Sequence, residues 1–191
     1  MYQMRHQCLM TQKTETMILE AAFALFAVKP TATLAEVAKR ADVGRATLHR
    51  LFKGRDDLMA ALAHRAMAEL DQAVDQATKD AATYTDGLRL TLKAMIPLAE
   101  RQLFLANEPV DHMPSVAKEL AQQRVELTDL VEAAKHEGSF DNAVPTAWIV
   151  QSFEALTYAA WTMVCEGEAT PKQASALAWR TLTIGVKGDV K

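Results

Sequence analysis

Apolar side chains recur every three or four residues along most of the chain, which is the spacing of one helix face. The first such stripe predicts a helix over residues 12–28 and a later one predicts a helix over 56–78. A third covers 85–106 but contains Pro97, whose ring excludes a backbone hydrogen bond and should kink or break the helix. The remaining pattern predicts a short turn or helix at 108–114 and three more helices, at 115–137, 145–165 and 171–186.

Between the first two stripes the pattern shortens to two brief helices separated by a tight turn. Thr33 followed by Glu36 forms a capping box that begins the first of them. Asp42 tolerates the left-handed conformation that ends a helix, and Gly44 can cap the next one. The spacing therefore predicts a helix, a turn and a second helix over residues 33–52.

The second short helix has two different faces. Leu48, Leu51 and Phe52 share one side and should be buried. The other side begins with a small residue and is otherwise basic or hydroxylic, which suits a helix that enters a DNA major groove. Its residues are Arg45, Ala46, Thr47, His49, Arg50 and Lys53.

The segment ADVGRATLHRLFKGRDDL, preceded by ILEAAFALF, resembles the tetracycline-repressor (TetR) family of bacterial helix-turn-helix transcriptional regulators. The resemblance covers roughly residues 11–60. It implies an all-α fold of about nine helices, with a three-helix DNA-binding domain at 1–55 and a helical regulatory and dimerisation domain at 56–191. Residues 1–10 are expected to be a disordered arm.

Several residues of the short helices have separate expected roles at DNA. Arg45 is the best candidate for reading bases, through bidentate bonds to guanine, and Ala46 permits close approach. Arg50 and Lys53 add positive charge. The resemblance implies backbone-phosphate contacts, which position a protein without reading sequence, at Thr33, Thr47, His49 and Arg55.

Four positions depart from the usual family pattern. Asp42 stands where the family usually has Gly, and Gly44 stands where it usually has a capping Ser. His49 replaces the usual Tyr, and Arg55 replaces the usual Lys. Each substitution keeps a residue type that can perform the expected role.

Charge is unevenly distributed between the two expected domains. Residues 1–55 contain nine Lys or Arg against four acids, and residues 56–191 contain twelve against twenty. A basic N-terminal part on an acidic body is typical of a DNA-binding head on a regulatory body. Chance clustering of charge on a solvated surface is the alternative interpretation.

The composition gives little support for an enzyme. The five His and two Cys residues form no metal-ligand pattern, and no glycine-rich phosphate loop or nucleophile elbow occurs. No catalytic residue, metal or cofactor is therefore expected. No apolar run approaches the length of a membrane span, so a cytoplasmic protein without membrane association is expected.

The last two helices are apolar on more than one face, which predicts burial on both sides. The sequence therefore predicts a homodimer through a four-helix interface, as the resemblance also implies. The expected interface residues are Ser152, Ala155, Ala159, Met163, Ala174, Leu177, Ala178 and Thr181. A monomeric core is the alternative.

Aromatic and Met side chains of the body predict a cavity for a mainly apolar small molecule. Ordinary core packing is the alternative for each of them. The expected lining is Met95, Phe104, His112, Met113, Trp148, Gln151, Tyr158 and Trp161.

These features together predict a ligand-responsive regulator, a repressor that binds a palindromic DNA operator as a dimer and is released by a small-molecule effector. Two other classes of binding protein remain open. A helical adaptor for another protein would lose little affinity at high salt. A small-molecule carrier would show no effect of DNA on ligand affinity, whereas coupling in a repressor is reciprocal.

Overall fold

The computed structural model describes residues 2–26, 28–108, 110 and 112–185, with side chains from Gln12 to Ile184. Every regular element in these residues is helical, so the all-α prediction is confirmed. None of the described helices combines the length and apolar content that a bilayer crossing needs. The elements are α1 (Tyr2–Phe26), α2 (Leu34–Arg40), α3 (Arg45–Leu51), α4 (Arg55–Thr78), α5 (Tyr84–Met95), the 3₁₀ turn Ile96–Leu98, α6 (Ala99–Asn107), α7 (Pro114–His136), α8 (Thr146–Cys165) and α9 (Pro171–Gly185).

The chain divides into two compact units, Met1–Arg65 and Ala66–Lys191. Helix α4 contributes its first half to the first unit and its second half to the other. The domain boundary after residue 55 stays a prediction. Helix α1 begins at Tyr2, ahead of the start expected near residue 12, and the disordered arm expected at residues 1–10 stays a prediction.

The ends of the two short helices are set by local hydrogen bonds. Thr33 caps α2 with the expected capping box to Glu36. At the other end Asp42 has φ of 53°, and the Val43 N–H donates to the Ala38 carbonyl at 3.0 Å, which is the Schellman pattern. Gly44 caps α3 with an extended backbone and no side-chain bond. The predicted turn chemistry is therefore confirmed at Thr33, Asp42 and Gly44.

Apolar side chains of α1, α2 and α3 are buried within the first unit. Ile18 and Phe26 of α1, Val37 of α2 and Leu48 of α3 are almost completely buried there. Phe52, which ends α3, is buried with them. The orientation of α3 therefore follows from which of its residues are apolar, and its polar residues remain outside.

The second unit has its own core, built from α5 to α9. Leu88, Ile96, Ile149, Phe153 and Leu182 are among its fully buried members. The predicted helix over 85–106 is interrupted at Ile96–Leu98 by the 3₁₀ turn that contains Pro97, as expected from the missing proline N–H. This interruption separates α5 from α6.

Glu36 makes the start of α2 sensitive to acid. Its bond to the Lys29 ammonium, and next its bond from the Thr33 N–H, lower the pKa of the Glu36 carboxyl from 4.5 to about 2. A lowered folded-state pKa means that the stabilisation is complete above the unfolded-state pKa and is lost as the pH falls through the folded-state pKa. The contribution of Glu36 should therefore disappear between about pH 5 and pH 2.

We expect Glu36→Gln to lower the free energy of unfolding at neutral pH and to flatten its dependence on pH across that acidic window. Urea denaturation followed by circular dichroism at a series of pH values measures both effects. Glu132→Gln, at an exposed acid in α7, is the matched control and should not change the shape of the curve. Parallel curves for Glu36→Gln and the unaltered protein would contradict this role.

Candidate nucleic-acid interface and ligand cavity

Helix α3 presents a polar surface to solvent over its whole length. Leu48 anchors the helix, being 1% exposed, and the residues on the opposite side carry two Arg and one His. The surface has no large apolar residue, so a flat or grooved anionic partner meets no steric obstacle there. Arg45, Ala46, His49 and Arg50 are exposed on it, with exposed Lys53 just beyond the helix, whereas Thr47 is half-buried.

Thr33 is exposed, but its hydroxyl already has partners within the unit. Its oxygen accepts a hydrogen bond from the Glu36 N–H at 3.3 Å, and the hydroxyl lies 2.9 Å from Glu36 Oε2, to which it donates. The Lys29 ammonium pairs with the same carboxylate. Contact between Thr33 and a phosphate stays a prediction, and the contacts seen here hold the N-terminus of α2.

Arg55 has a structural role that its sequence position did not indicate. Its Nη1 donates to the Ala32 carbonyl at 2.6 Å and its Nη2 donates to the Pro30 carbonyl at 2.8 Å. The guanidinium also lies over the ring of Phe26, 4.8 Å from its centroid. One side chain therefore joins the start of α4 to the end of α1 and to the loop before α2. A phosphate contact by Arg55 stays a prediction beside this role.

A cavity of about 550 Å³ lies within the second unit. This volume is in the range of small-molecule sites, about 300–1,000 Å³, and most of the lining side chains are apolar. Helices α4 to α8 all contribute to the wall. The second unit therefore has both the space and the lining that a small organic ligand needs.

The cavity contains only part of the lining expected from the sequence. Met95, Gln151, Tyr158 and Trp161 line it. Four expected residues lie outside its lining: Phe104 is buried, His112 and Trp148 are exposed, and Met113 precedes α7.

The wall also includes residues that the sequence analysis missed. Leu120, Gln123, Leu127 and Leu130 recur at helical spacing along α7, so periodicity gave a signal for one face of that helix. Helix α4, expected only to connect two domains, contributes Leu70, Asp71 and Val74. The remaining missed residues are Thr91, Gln102, Leu105, Ala106, Arg124, Glu126, Phe153, Glu154, Ala155 and Thr157.

Two polar groups in the cavity wall have no hydrogen-bond partner in the described part of the chain. They are the Thr91 hydroxyl and the indole N–H of Trp161, and their residues are 8% and 7% exposed. A buried polar group without a partner costs roughly 1–3 kcal/mol. In contrast, the neighbouring Thr157 hydroxyl donates to the Phe153 carbonyl at 2.6 Å.

Thr91→Val is therefore expected to raise the free energy of unfolding of the ligand-free protein by about 1 kcal/mol, since valine has the same shape and no unpaired hydroxyl. Thr157→Val is the matched control and should lower it, because that hydroxyl is hydrogen-bonded. Urea denaturation of the two variants measures both changes. A loss of stability of equal size in both variants would show that the Thr91 hydroxyl is satisfied in solution.

The residues expected at a dimer interface fall into two groups. Ala155, Ala159, Leu177 and Thr181 are exposed, with Ser152 and Met163 half-buried. Ala174 and Ala178 lie in the core of their own unit instead of on its surface, and the interface itself stays a prediction. Ile184, which is 66% exposed, follows Leu177 and Thr181 on the outer face of α9 and was not among the expected interface residues.

Three comparisons place the chain among known proteins. The family model described as bacterial regulatory proteins, tetR family, matches residues 18–62. The HTH-type transcriptional repressor LfrR of Mycolicibacterium smegmatis is 29% identical over 157 residues, which are 82% of either chain.

Solved structures resemble nearly the whole chain. The crystal structure of the TetR-like regulator LfrR from Mycobacterium smegmatis in complex with proflavine matches with a TM-score of 0.74 and 26% identity, over 93% of this chain and 99% of that one. The ketosteroid transcriptional regulator KstR2 of Mycobacterium tuberculosis matches with a TM-score of 0.76 and 17% identity, over 92% and 95% of the two chains, which shows a shared fold.

Proposed function

We propose that this chain is a repressor that binds a palindromic operator as a homodimer and is released by a small-molecule effector. The premise is that the chain belongs to the tetR family of bacterial regulatory proteins. That it is a ligand-responsive DNA-binding regulator follows from the family. The palindrome, the dimer, release by the effector and action in the cytoplasm are the steps proposed here.

The exposed surface of α3 is the observation that carries the proposal. It lies inside the matched segment, and the turn at Asp42 fixes its orientation relative to α2. Arg45 is exposed at the first position of the helix, and the N-terminal residues of a recognition helix are those that reach base edges. Ala46 beside it allows the backbone to approach the groove closely. Arg45 is therefore assigned to base reading and Lys53 to phosphate.

The cavity supports a mainly apolar effector. The similar protein LfrR has been crystallised with proflavine, a planar three-ring compound, and the cavity here is large enough for a molecule of that size. Phe153, Tyr158 and Trp161 supply aromatic surface to the wall. We assign the cavity to effector binding.

Helix α4 is the element through which effector and DNA are coupled in this proposal. Asp71 and Val74 near its C-terminus line the cavity, and Arg55 at its start bonds to the loop before α2. A ligand that favours one position of α4 changes the separation of the two recognition helices of a dimer. Binding of effector and binding of operator then weaken each other by the same factor.

The function is tested by fluorescence anisotropy with DNA from beside the gene, against a scrambled duplex, over a series of salt concentrations. Tight, selective binding whose affinity falls steeply with salt supports a DNA-reading regulator. If binding to both duplexes is equal and weak, genomic DNA fragments that bind the protein are selected next. Failure of that selection to enrich any sequence would contradict the proposal.

Arg45→Ala is expected to weaken operator binding about tenfold to a hundredfold and to relax the preference at one base pair of each half-site. Lys53→Ala is the matched control and should weaken binding to all duplexes evenly while reducing its salt dependence. Anisotropy titrations with single-base operator variants distinguish the two outcomes. An even loss in Arg45→Ala would show that Arg45 contacts phosphate.

A further inference from the structure

The charges around the cavity are unbalanced. Four charged side chains line it, of which three are acids and one, Arg124, is a cation. Arg124 pairs with Glu154 at 3.4 Å, so these two charges largely cancel. Asp71 and Glu126, which are both exposed residues at the edge of the cavity, remain as acids without a cationic partner.

Asp71 and Glu126 have only neutral partners in the described residues. Asp71 Oδ1 accepts a hydrogen bond from Gln123 Nε2 at 2.8 Å, and Glu126 Oε1 accepts one from Gln122 Nε2 at 2.8 Å. No cationic side chain of the described part lies within 4 Å of either carboxylate. The wall is therefore a negative surface that lacks a positive counterpart.

The environment of Asp71 shows the same imbalance. Partial burial raises the pKa of its carboxyl, and the bond from Gln123 opposes this shift. The negative charges of Glu126, Asp75 and Glu119 raise the pKa further. A positive charge placed in the cavity would relieve this repulsion and favour the ionised carboxylate.

A second and independent feature also indicates a ligand. The Thr91 hydroxyl and the Trp161 indole N–H belong to residues that are more than nine-tenths buried, line the cavity and have no recorded partner among the described residues. The indole N–H can only donate, so it requires an acceptor atom on the ligand. Phe153 and Tyr158 add aromatic surface, which attracts organic cations through their π-electrons.

We infer that the effector of the proposed function is an aromatic organic cation carrying a hydrogen-bond acceptor, held by the Asp71 and Glu126 carboxylates and positioned by Thr91 and Trp161. The biological role of this ligand rests on the proposed function. The inference adds that the ligand carries a positive charge, beyond the mainly apolar character already assigned to it. Neutral molecules of the same shape bind more weakly, because they leave both carboxylates without a counter-charge.

The test uses two compounds with the same three-ring skeleton and the same methoxy oxygen. One is 2-methoxy-10-methylacridinium, which has a permanent charge, and the other is 2-methoxyacridine, which is uncharged at neutral pH. Equilibrium dialysis against the full chain without DNA gives both dissociation constants. We expect the cation to bind about tenfold more tightly, as two partly exposed carboxylates allow.

Variants separate charge from shape. Asp71→Asn combined with Glu126→Gln should reduce the ratio of the two dissociation constants to about one. Asp129→Asn combined with Glu132→Gln removes two exposed acids of α7 outside the cavity wall and should leave the ratio unchanged. Trp161→Phe should weaken both compounds about fivefold without altering the ratio, because it removes only the hydrogen-bond donor.

Equal affinities for the two compounds, a preference that survives loss of Asp71 and Glu126, or failure of both compounds to bind would each overturn the inference. Operator release is measured separately by anisotropy. The combined Asp71→Asn and Glu126→Gln variant is the control for intercalation of the dye into DNA, because intercalation does not depend on these carboxylates. Binding with the expected preference but no release supports the cation site and contradicts effector control. Release by both compounds alike supports effector control and contradicts the charge requirement.

Discussion

Arg55→Ala is expected to lower the free energy of unfolding by about 2–3 kcal/mol, one of the two largest effects anticipated for this protein. The substitution removes two charge-assisted hydrogen bonds, to the carbonyls of Pro30 and Ala32, and the contact with the Phe26 ring. Part of the side chain is exposed, which places the expected loss below the sum of full contributions. Urea denaturation of the full chain, followed by circular dichroism, measures it.

The same variant should also bind operator poorly, because the loop before α2 loses its attachment to α4. Lys53→Ala provides the matched control, since it removes an exposed cation two residues away and should leave stability unchanged. Arg55→Lys should recover only part of the loss, because an ammonium lacks the planar fork that reaches two carbonyls. Unchanged stability together with weaker binding to all sequences would show that Arg55 acts on phosphate alone.

Leu177→Glu is expected to raise the dissociation constant of the proposed dimer about a hundredfold. Leu177 is 49% exposed on α9, and Thr181 and Ile184 follow it on the same face at helical spacing. In a two-fold interface each copy loses an apolar contact and gains a desolvated carboxylate, so the effect is doubled. Sedimentation equilibrium at micromolar concentrations measures the change.

Val125→Glu is the control for Leu177→Glu, because Val125 is 53% exposed on α7 and was not assigned to the interface. It should leave the association state unchanged. Leu177→Glu should also weaken operator binding, since a monomer reaches only one half-site. A Leu177→Glu protein that remains dimeric at micromolar concentration would place the interface elsewhere.

The two predictions depend on different kinds of information. The outer face of α9 was visible in the sequence as an apolar stripe beyond what one core needs. Ala174 and Ala178 belong to the inner side of the same helix, and the sequence could not separate the sides because both are apolar. Arg55 gave no such signal, because its partners Pro30 and Ala32 are backbone carbonyls more than twenty residues away.

The cavity shows the same limit. Trp161 and Met95 were expected in its wall because aromatic and Met side chains favour such sites, and they are there. Trp148 is also aromatic but is 64% exposed, because it lies on the side of α8 that faces solvent. Asp71 was missed because it is an exposed acid on a connecting helix, and only the tertiary structure shows that it borders the cavity.

The sequence by itself determined the order of the helices, the caps at Thr33 and Gly44 and the turn at Asp42, because these depend on contacts within a few residues and on the spacing of apolar positions. It also determined which side of α3 is buried, since only Leu48 and its apolar neighbours can enter a core. The tertiary structure alone decided the carbonyl partners of Arg55, the unpaired groups of Thr91 and Trp161 and the negative wall at Asp71. Each of these depends on contacts between residues far apart in the chain, and neither periodicity nor local propensity predicts such contacts.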